Sequence, residues 1–336
     1  MVHVGIEELL PGGVVSGPYG SLFIHERLYT DLGEEPGPVL ERFDALCRLE
    51  NGAACPEIEK SARRKRRNGD RANGSSLGAI GARVWALNGN GNHGNEARFG
   101  YADDDESESA SGGASGYDPS REPRIVYEME PTGPIQPFLP TMEAQVEWPE
   151  RGLFRRFGYR KVLFLDLETC GLSGCPVFLA GVALIGEGDV VLRQLFARDY
   201  AEERALLAEL GRLMEEADFL VTFNGKTFDV PFLRDRAVHH RMDLQFSLPH
   251  LDLVWMVRRR WKRQLPDCKL KTLEWRVLRR RRSGDVWGYE IPGLYHDYVQ
   301  NGQPHRLIPI FHHNMLDVVA MVELIPAVFD PETTVY

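Results

Sequence analysis

Three short segments of this chain place acidic side chains where carboxylates do chemistry. The first is Val162-Leu163-Phe164-Leu165-Asp166-Leu167-Glu168-Thr169. Alternate side chains of a strand share a face, so Asp166 and Glu168 emerge side by side with Val162 and Phe164, opposite Leu163, Leu165 and Leu167. Two like charges so close repel, and each needs a cation to stay ionised. A hard divalent ion with oxygen ligands supplies one, whereas a strand end fraying into water tolerates the pair without any ion. The second segment, Phe219–Leu233, runs from a strand through Asn224-Gly225 to Asp229, two residues before Pro231. Taken alone, Asp229 there is a helix N-cap. Its neighbours point further: Asn224-Gly225 permits close approach of a ligand to the backbone, and Phe228 offers a ring on which a base can stack. The third segment sets Asp317 beside the apolar stripe Val318, Val319 and Val322, behind His312 and His313. A carboxylate bordering a core face is costly unless paired. The plainer readings are an aspartate in a first helical turn, favoured by the helix dipole, and histidines that cap or pack.

The elements around these segments predict an α/β domain. Val162–Glu168, Val177–Ile185 and Val190–Phe196 read as strands, the last two joined by the turn 186–189. Ala201–Ala217 carries Leu206, Leu207, Leu210, Leu213 and Met214 at helical spacing, and Phe219–Phe223 is a short strand after it. Pro231–His240, Leu251–Arg263, Leu270–Leu278 and Asn314–Val328 read as helices. Three antiparallel strands followed by strands alternating with helices predict a mixed sheet with helices packed on it.

Upstream, residues 1–50 hold a short strand at Ser21–Ile24 and a helix at Pro38–Cys47, with no role legible. Residues 51–123 hold a basic cluster at Ser61–Arg67 and the repetitive runs Asn88–Asn92 and Asp103–Ser109. Such segments bury too little apolar surface to offset the entropy of ordering, so a disordered linker is expected there, its basic cluster solvated rather than bound to nucleic acid. Residues 124–160 are transitional, and the folded domain is expected over 161–330.

Charge is sorted along the chain. The net charge is −9, but residues 1–150 carry 14 basic and 25 acidic groups while 151–336 carry 26 and 24. Residues 251–282 hold 12 basic groups against 3 acidic ones, so the acidic average does not exclude a polyanion partner. No continuous apolar run reaches the ~18 residues of a membrane span. The first residues lack the basic flank and apolar stretch of a secretory signal. The five cysteines form no C-x-x-C pair and read as reduced thiols, which leads to the expectation of a cytoplasmic protein without membrane contact.

With all three acidic segments in order, 63 and 88 residues apart, the sequence resembles the DEDD (DnaQ-like) 3′→5′ exonucleases of the ribonuclease-H-like superfamily. The motifs carrying the resemblance are D-x-E-T at Asp166–Thr169, N-G-x-x-F-D-x-P at Asn224–Pro231, and His313-Asn314-x-x-Asp317. Within that superfamily it resembles the YprB-type family, through Phe196–Glu203, His250–Leu253, Arg258–Lys262, Leu270–Glu274 and Ile291–Tyr298. Gly20–Tyr29 is similar to segments that precede this domain in relatives. The resemblance covers about 161–330 and implies a ribonuclease-H-like mixed sheet flanked by helices, behind a largely disordered N-terminal extension.

It also implies a two-metal phosphodiesterase. Asp166, Glu168, Asp229 and Asp317 would hold two divalent cations, Mg²⁺ or Mn²⁺, because hard oxygen donors suit such ions and the ions neutralise charge gathering on a phosphodiester. A histidine would serve as general base. His313 is four residues before Asp317 and shares its helical face; His312, five residues before, has the spacing of the DnaQ-like branch, and both stay candidates. The partner expected is DNA or RNA, as single strands or frayed ends. Thr169, Asn224, Lys226 and Phe228 would contact the terminal nucleotides, and Arg258, Arg259, Arg260, Trp261 and Lys262 would grip the strand by charge and stacking. For Arg279–Arg282 a solvated face competes evenly with such a role. His250 and Asp252 read as structural. The competing functions are a nucleic-acid-binding module with little or no catalysis, and a ribonuclease-H-type endonuclease.

Overall fold

The computed structural model describes residues 5–48, 149–172, 174–244 and 246–336. The expected linker over 51–123 and most of the transitional segment 124–160 lie outside the described residues.

One mixed sheet organises the described residues, in the order β1-β2-β5-β4-β3-β6-β7. Its centre is the antiparallel meander β3 (Val162–Thr169), β4 (Val177–Ile185) and β5 (Val190–Phe196), as the sequence predicts. β6 (Phe219–Thr222) and β7 (His250–Asp252) add to β3 in parallel. The three-residue β7 was not expected; its sequence is too short to show an alternating pattern. On the other edge β1 (Gly12–Gly17) and β2 (Gly20–Leu28) form a hairpin that pairs antiparallel with β5. The described residues of this N-terminal segment thus extend the same sheet.

Helices cover both faces. α1 (Pro36–Cys47), α2 (Arg151–Phe157), α5 (Leu253–Trp261), α6 (Leu270–Arg276) and α8 (Ile308–Phe329) share a core with Val162, Phe164 and Val221. The opposite core joins Leu163 and Leu165 to α3 (Glu203–Glu216) and α4 (Asp229–His239). The alternation read from β3 is realised, so Asp166 and Glu168 face the α8 side. A third cluster gathers Phe178, Phe196, Val286 and Phe311 around Tyr295 of α7 (Ile291–Asn301).

α8 begins six residues before the expected start. Pro309 occupies its first turn, where a missing N–H costs nothing, so the helix takes in His312 and His313 as well as Asp317. By length and composition the stretch Pro304–Phe329 could cross a bilayer. In the fold its apolar faces are taken up by the sheet and by neighbouring helices, as befits the central core helix. The N-terminal segment is also locked onto it: the Tyr29 hydroxyl donates to Glu323, and Arg280 bridges Glu323 at 2.9 Å and Glu34 at 2.7 Å.

Candidate active site

Asp166 leaves the sheet where β3 pairs with Gly181 of β4. Above it stands Asn314 of α8, fully buried, whose Nδ2 donates to Asp166 Oδ2 at 2.8 Å and to the Asp166 carbonyl at 3.3 Å. Gln194 of β5 donates from Nε2 to Asn314 Oδ1 at 2.9 Å and to the Phe311 carbonyl at 2.7 Å. Strand and helix are thus registered against each other through one buried amide chain. Gly181 is required for it: a Cβ there would sit 2.2 Å from Asn314 Oδ1.

Asp229 arrives from the second motif. After β6 the chain turns through Asn224, whose φ of 67° is left-handed, and through Gly225, where a Cβ would meet Thr222 Oγ1 at 2.5 Å and Asp229 Oδ2 at 2.7 Å. Asp252, at the end of β7, holds this turn. Its carboxylate accepts from the backbone N–H of Asn224 at 2.7 Å, of Lys226 at 3.0 Å and of Val254 at 3.2 Å. A buried acceptor of three N–H groups is worth more than a surface cap. Asp252→Ala is therefore expected to cost about 2–3 kcal/mol in denaturant unfolding and to loosen the loop carrying Asp229.

Burial and neighbouring charges act on three of the carboxylates. Burial, then the charges of Asp317, Glu168 and Asp229, push Asp166 well above the carboxylate range against the pull of Asn314. Burial pushes Glu168 up to about 8, with His313 opposing and Asp317 and Asp229 adding to the rise. Burial, with Asp252 and Asp317, pushes Asp229 up to about 7 although backbone N–H groups at Asp229 and Leu167 pull it down. The cap position itself is taken by Phe228, so Asp229 lies in the first turn of α4 rather than at its cap.

Asp317 is differently placed. Arg282, almost fully buried, donates to it and also pairs with Glu274 at 2.6 Å. His313 Nε2 lies 3.6 Å from Asp317 Oδ2, while its Nδ1 is 2.6 Å from Asp285 Oδ1. Burial pulls His313 down, but the bond to Asp285 and the charges of Asp317 and Glu168 outweigh it and hold the imidazole above its usual value. His312 lies instead against a small cavity walled by Glu274, Leu278, Arg282 and Leu316, and burial holds it low. Of the two candidate histidines, His313 is the one brought to the carboxylates. As they stand, no three His, Cys, Asp or Glu side chains among the described residues form a cage tight enough for a metal ion.

The remaining expected contacts divide. Phe228 is 47% exposed and immediately precedes Asp229, and Lys226 is exposed on the same turn. The Thr169 hydroxyl donates to the Gly171 carbonyl at 2.7 Å and shapes the loop after β3. The stretch 258–262 is elsewhere. Trp261 is 1% exposed, a core residue whose ring is closed to a base. Arg260 donates to the carbonyls of Val328, Asp330 and Thr333, at the far end of α8. That end is about 16 Å along the helix from Asp317 at 1.5 Å per residue. Arg259 pairs with Glu150 at 2.9 Å, and Arg258 and Lys262 are exposed on that side. For Trp261 and Arg260 the expected grip is corrected by packing, since an amphipathic helix with one buried Trp at its end looks, in sequence, like a cationic and aromatic patch. Sequence reading also missed Asp285 and Gln194, and it weighed Arg282 only between a solvated face and a strand grip; these residues, with Glu274, bear on the site through tertiary contacts.

A family model of the ribonuclease H superfamily matches residues 163–328. The uncharacterized protein YprB of Bacillus subtilis (strain 168) is 31% identical over 212 residues, 60% of this chain and 51% of that protein. The chain thus spans about half the length of this relative. The family B DNA polymerase of the hyperthermophilic archaeon Pyrobaculum calidifontis aligns at a TM-score of 0.39 and 18% identity, over 48% of this chain and 24% of the polymerase. The match over residues 163–328, together with the mixed sheet and its flanking helices, makes this part of the chain a ribonuclease H superfamily domain, and the chain is similar to YprB.

Proposed function

We propose that the chain is a metal-dependent nuclease that hydrolyses phosphodiester bonds as a 3′→5′ exonuclease on single-stranded DNA or RNA ends. The observation carrying this reading is the grouping of Asp166, Glu168 and Asp229, all half-buried, whose pKa values are pushed up first by burial and then by neighbouring carboxylates. Such a group is unfavourable without cations, and its donors are all hard oxygen, which suits Mg²⁺ or Mn²⁺. Asp166, Glu168, Asp229 and Asp317 would hold the ions, which when bound neutralise charge on the phosphodiester and lower the pKa of water. Asn314 holds the Asp166 carboxylate in place for that task. Asp285 accepts the His313 Nδ1 proton, leaving Nε2 as the nitrogen that takes a proton from the attacking water. Phe228 and Lys226 would meet the terminal nucleotide.

One observation favours a second reading. Arg282 already neutralises Asp317, which suits a module that binds nucleic acid with little catalysis. A single assay separates the two. A 5′-labelled 20-nucleotide strand of DNA or RNA is incubated with and without Mn²⁺. Stepwise shortening from the 3′ end with release of mononucleotides is the expected result. Internal cuts would mean a ribonuclease-H-type endonuclease, and an intact strand retained by the protein would mean a binding module.

A further inference from the structure

Three large exposed rings, Trp275, Trp287 and Tyr289, lie on one side of the site. Trp287 and Tyr289 are 63% and 79% exposed, with ring centroids 6.3 Å apart and planes within 23° of parallel. Their loop is not loosely attached. Val286 is buried beside Phe178 and Tyr295, and the Trp287 N–H donates to the Glu290 carboxylate at 3.3 Å. Lys271 of α6 places its ammonium 5.6 Å from the Trp287 ring centroid. Four residues on, and so on the same helical face, Trp275 is 42% exposed, with the guanidinium groups of Arg276 and Arg281 at 3.8 and 4.6 Å from its ring. Rings and cations therefore alternate along one surface.

That surface begins at the site. Lys271 Nζ is 2.8 Å from Asp285 Oδ2, and the other oxygen of Asp285 holds His313. We propose that the surface from Trp287 and Tyr289 to Trp275 is a track for the single-stranded nucleic acid whose end enters the site, bases stacking on Trp287 and Tyr289 and phosphates lying along Lys271 and Arg281. The proposal rests on the nuclease reading for the direction of the strand, but its chemistry is independent of turnover. Flat rings stack on any base and cations track the backbone, which describes sequence-tolerant binding of single strands. A duplex hides its base faces and cannot use the rings.

The test is fluorescence anisotropy of labelled 20-nucleotide oligo(dT) and oligo(U) on the full chain in EDTA, where no metal-dependent cleavage occurs. Trp287→Ala with Tyr289→Ala is expected to weaken binding of both by about thirtyfold or more, since stacking on each of the two rings is worth ~1–3 kcal/mol and 1.4 kcal/mol is tenfold. Trp287→Phe with Tyr289→Phe keeps the rings and is expected to hold affinity within about threefold; thermal melts confirm that both variants fold. Undiminished binding by the alanine variant overturns the track, as does a wild type that binds no single strand or prefers a blunt duplex. If the alanine variant loses binding while the wild type shows no Mn²⁺-dependent degradation, the track stands and the nuclease reading falls.

Discussion

Asp166→Asn is expected to reduce nuclease turnover on the order of 10³-fold or more while leaving the protein folded, and more stable than wild type at pH 8 without metal. The substitution keeps the side-chain shape and an acceptor for Asn314 Nδ2 but removes the charge at the centre of the group. Losing electrostatic stabilisation of about 4 kcal/mol in the transition state gives a factor of that size. The stability gain follows from the direction of the shifts. A carboxyl whose pKa is raised by folding binds more protons in the native than in the unfolded state. Its favourable contribution is fully present below the unfolded pKa of ~4 and is lost as pH rises through the folded value. With Glu168 at about 8 and Asp229 at about 7, metal-free wild type should lose stability progressively from about pH 4 to pH 8. Removing one charge should flatten that profile, and so should adding Mn²⁺ to the wild type. Melting temperatures across this range check both. A variant that retained activity, or melted lower than wild type at pH 8, would overturn the reading of Asp166.

The largest loss of stability is expected from Glu203→Ala. Glu203 is 1% exposed and accepts from Arg236 Nε at 2.7 Å and Nη2 at 2.5 Å, from His240 Nε2 at 2.6 Å and from the Val177 backbone N–H at 2.8 Å. Burial alone would raise its pKa, yet these partners hold it low. Removing it leaves Arg236, itself 5% exposed, as a buried cation without its carboxylate. Breaking such a pair costs about 3–5 kcal/mol, a fall in Tm of roughly 6–20 °C for a domain of this size. The loss should also reach the site. Arg236 donates to the Gly174 carbonyl at 2.8 Å, and Val177 opens β4, so the β4 end of the loop after Glu168 hangs on this one carboxylate. A double variant, Glu203→Gln with Arg236→Met, should recover much of the stability, because it removes both buried charges together.

The parts of the site legible beforehand are those governed by local rules. Period-two alternation in Val162–Thr169 determined which face Asp166 and Glu168 share, because adjacent peptide units of a strand point oppositely whatever surrounds them. The Gly225 turn before Pro231 determined where α4 begins, and the periodicity of Glu203–Glu216 determined the helix packed beneath the sheet. The spacing of His313 and Asp317 likewise follows from 3.6 residues per turn.

What local rules could not decide depends on residues far apart in the chain. An arginine-rich stretch has one composition whether it faces a ligand or the backbone of its own C-terminus. Packing sent Arg260 and Trp261 to the far end of α8, and brought Arg282 and Asp285 to Asp317 and His313. The docking of β1 and β2 against β5 is another such case, since a hairpin with one exposed edge reads alike as a separate unit or as part of a larger sheet. By itself, then, the sequence determined which carboxylates are present, on which elements they ride and which way those on β3 face. Only the tertiary structure decided which charges surround them, because the potential at a buried group is set by every charge within several ångströms, and those charges come from segments that folding alone brings together.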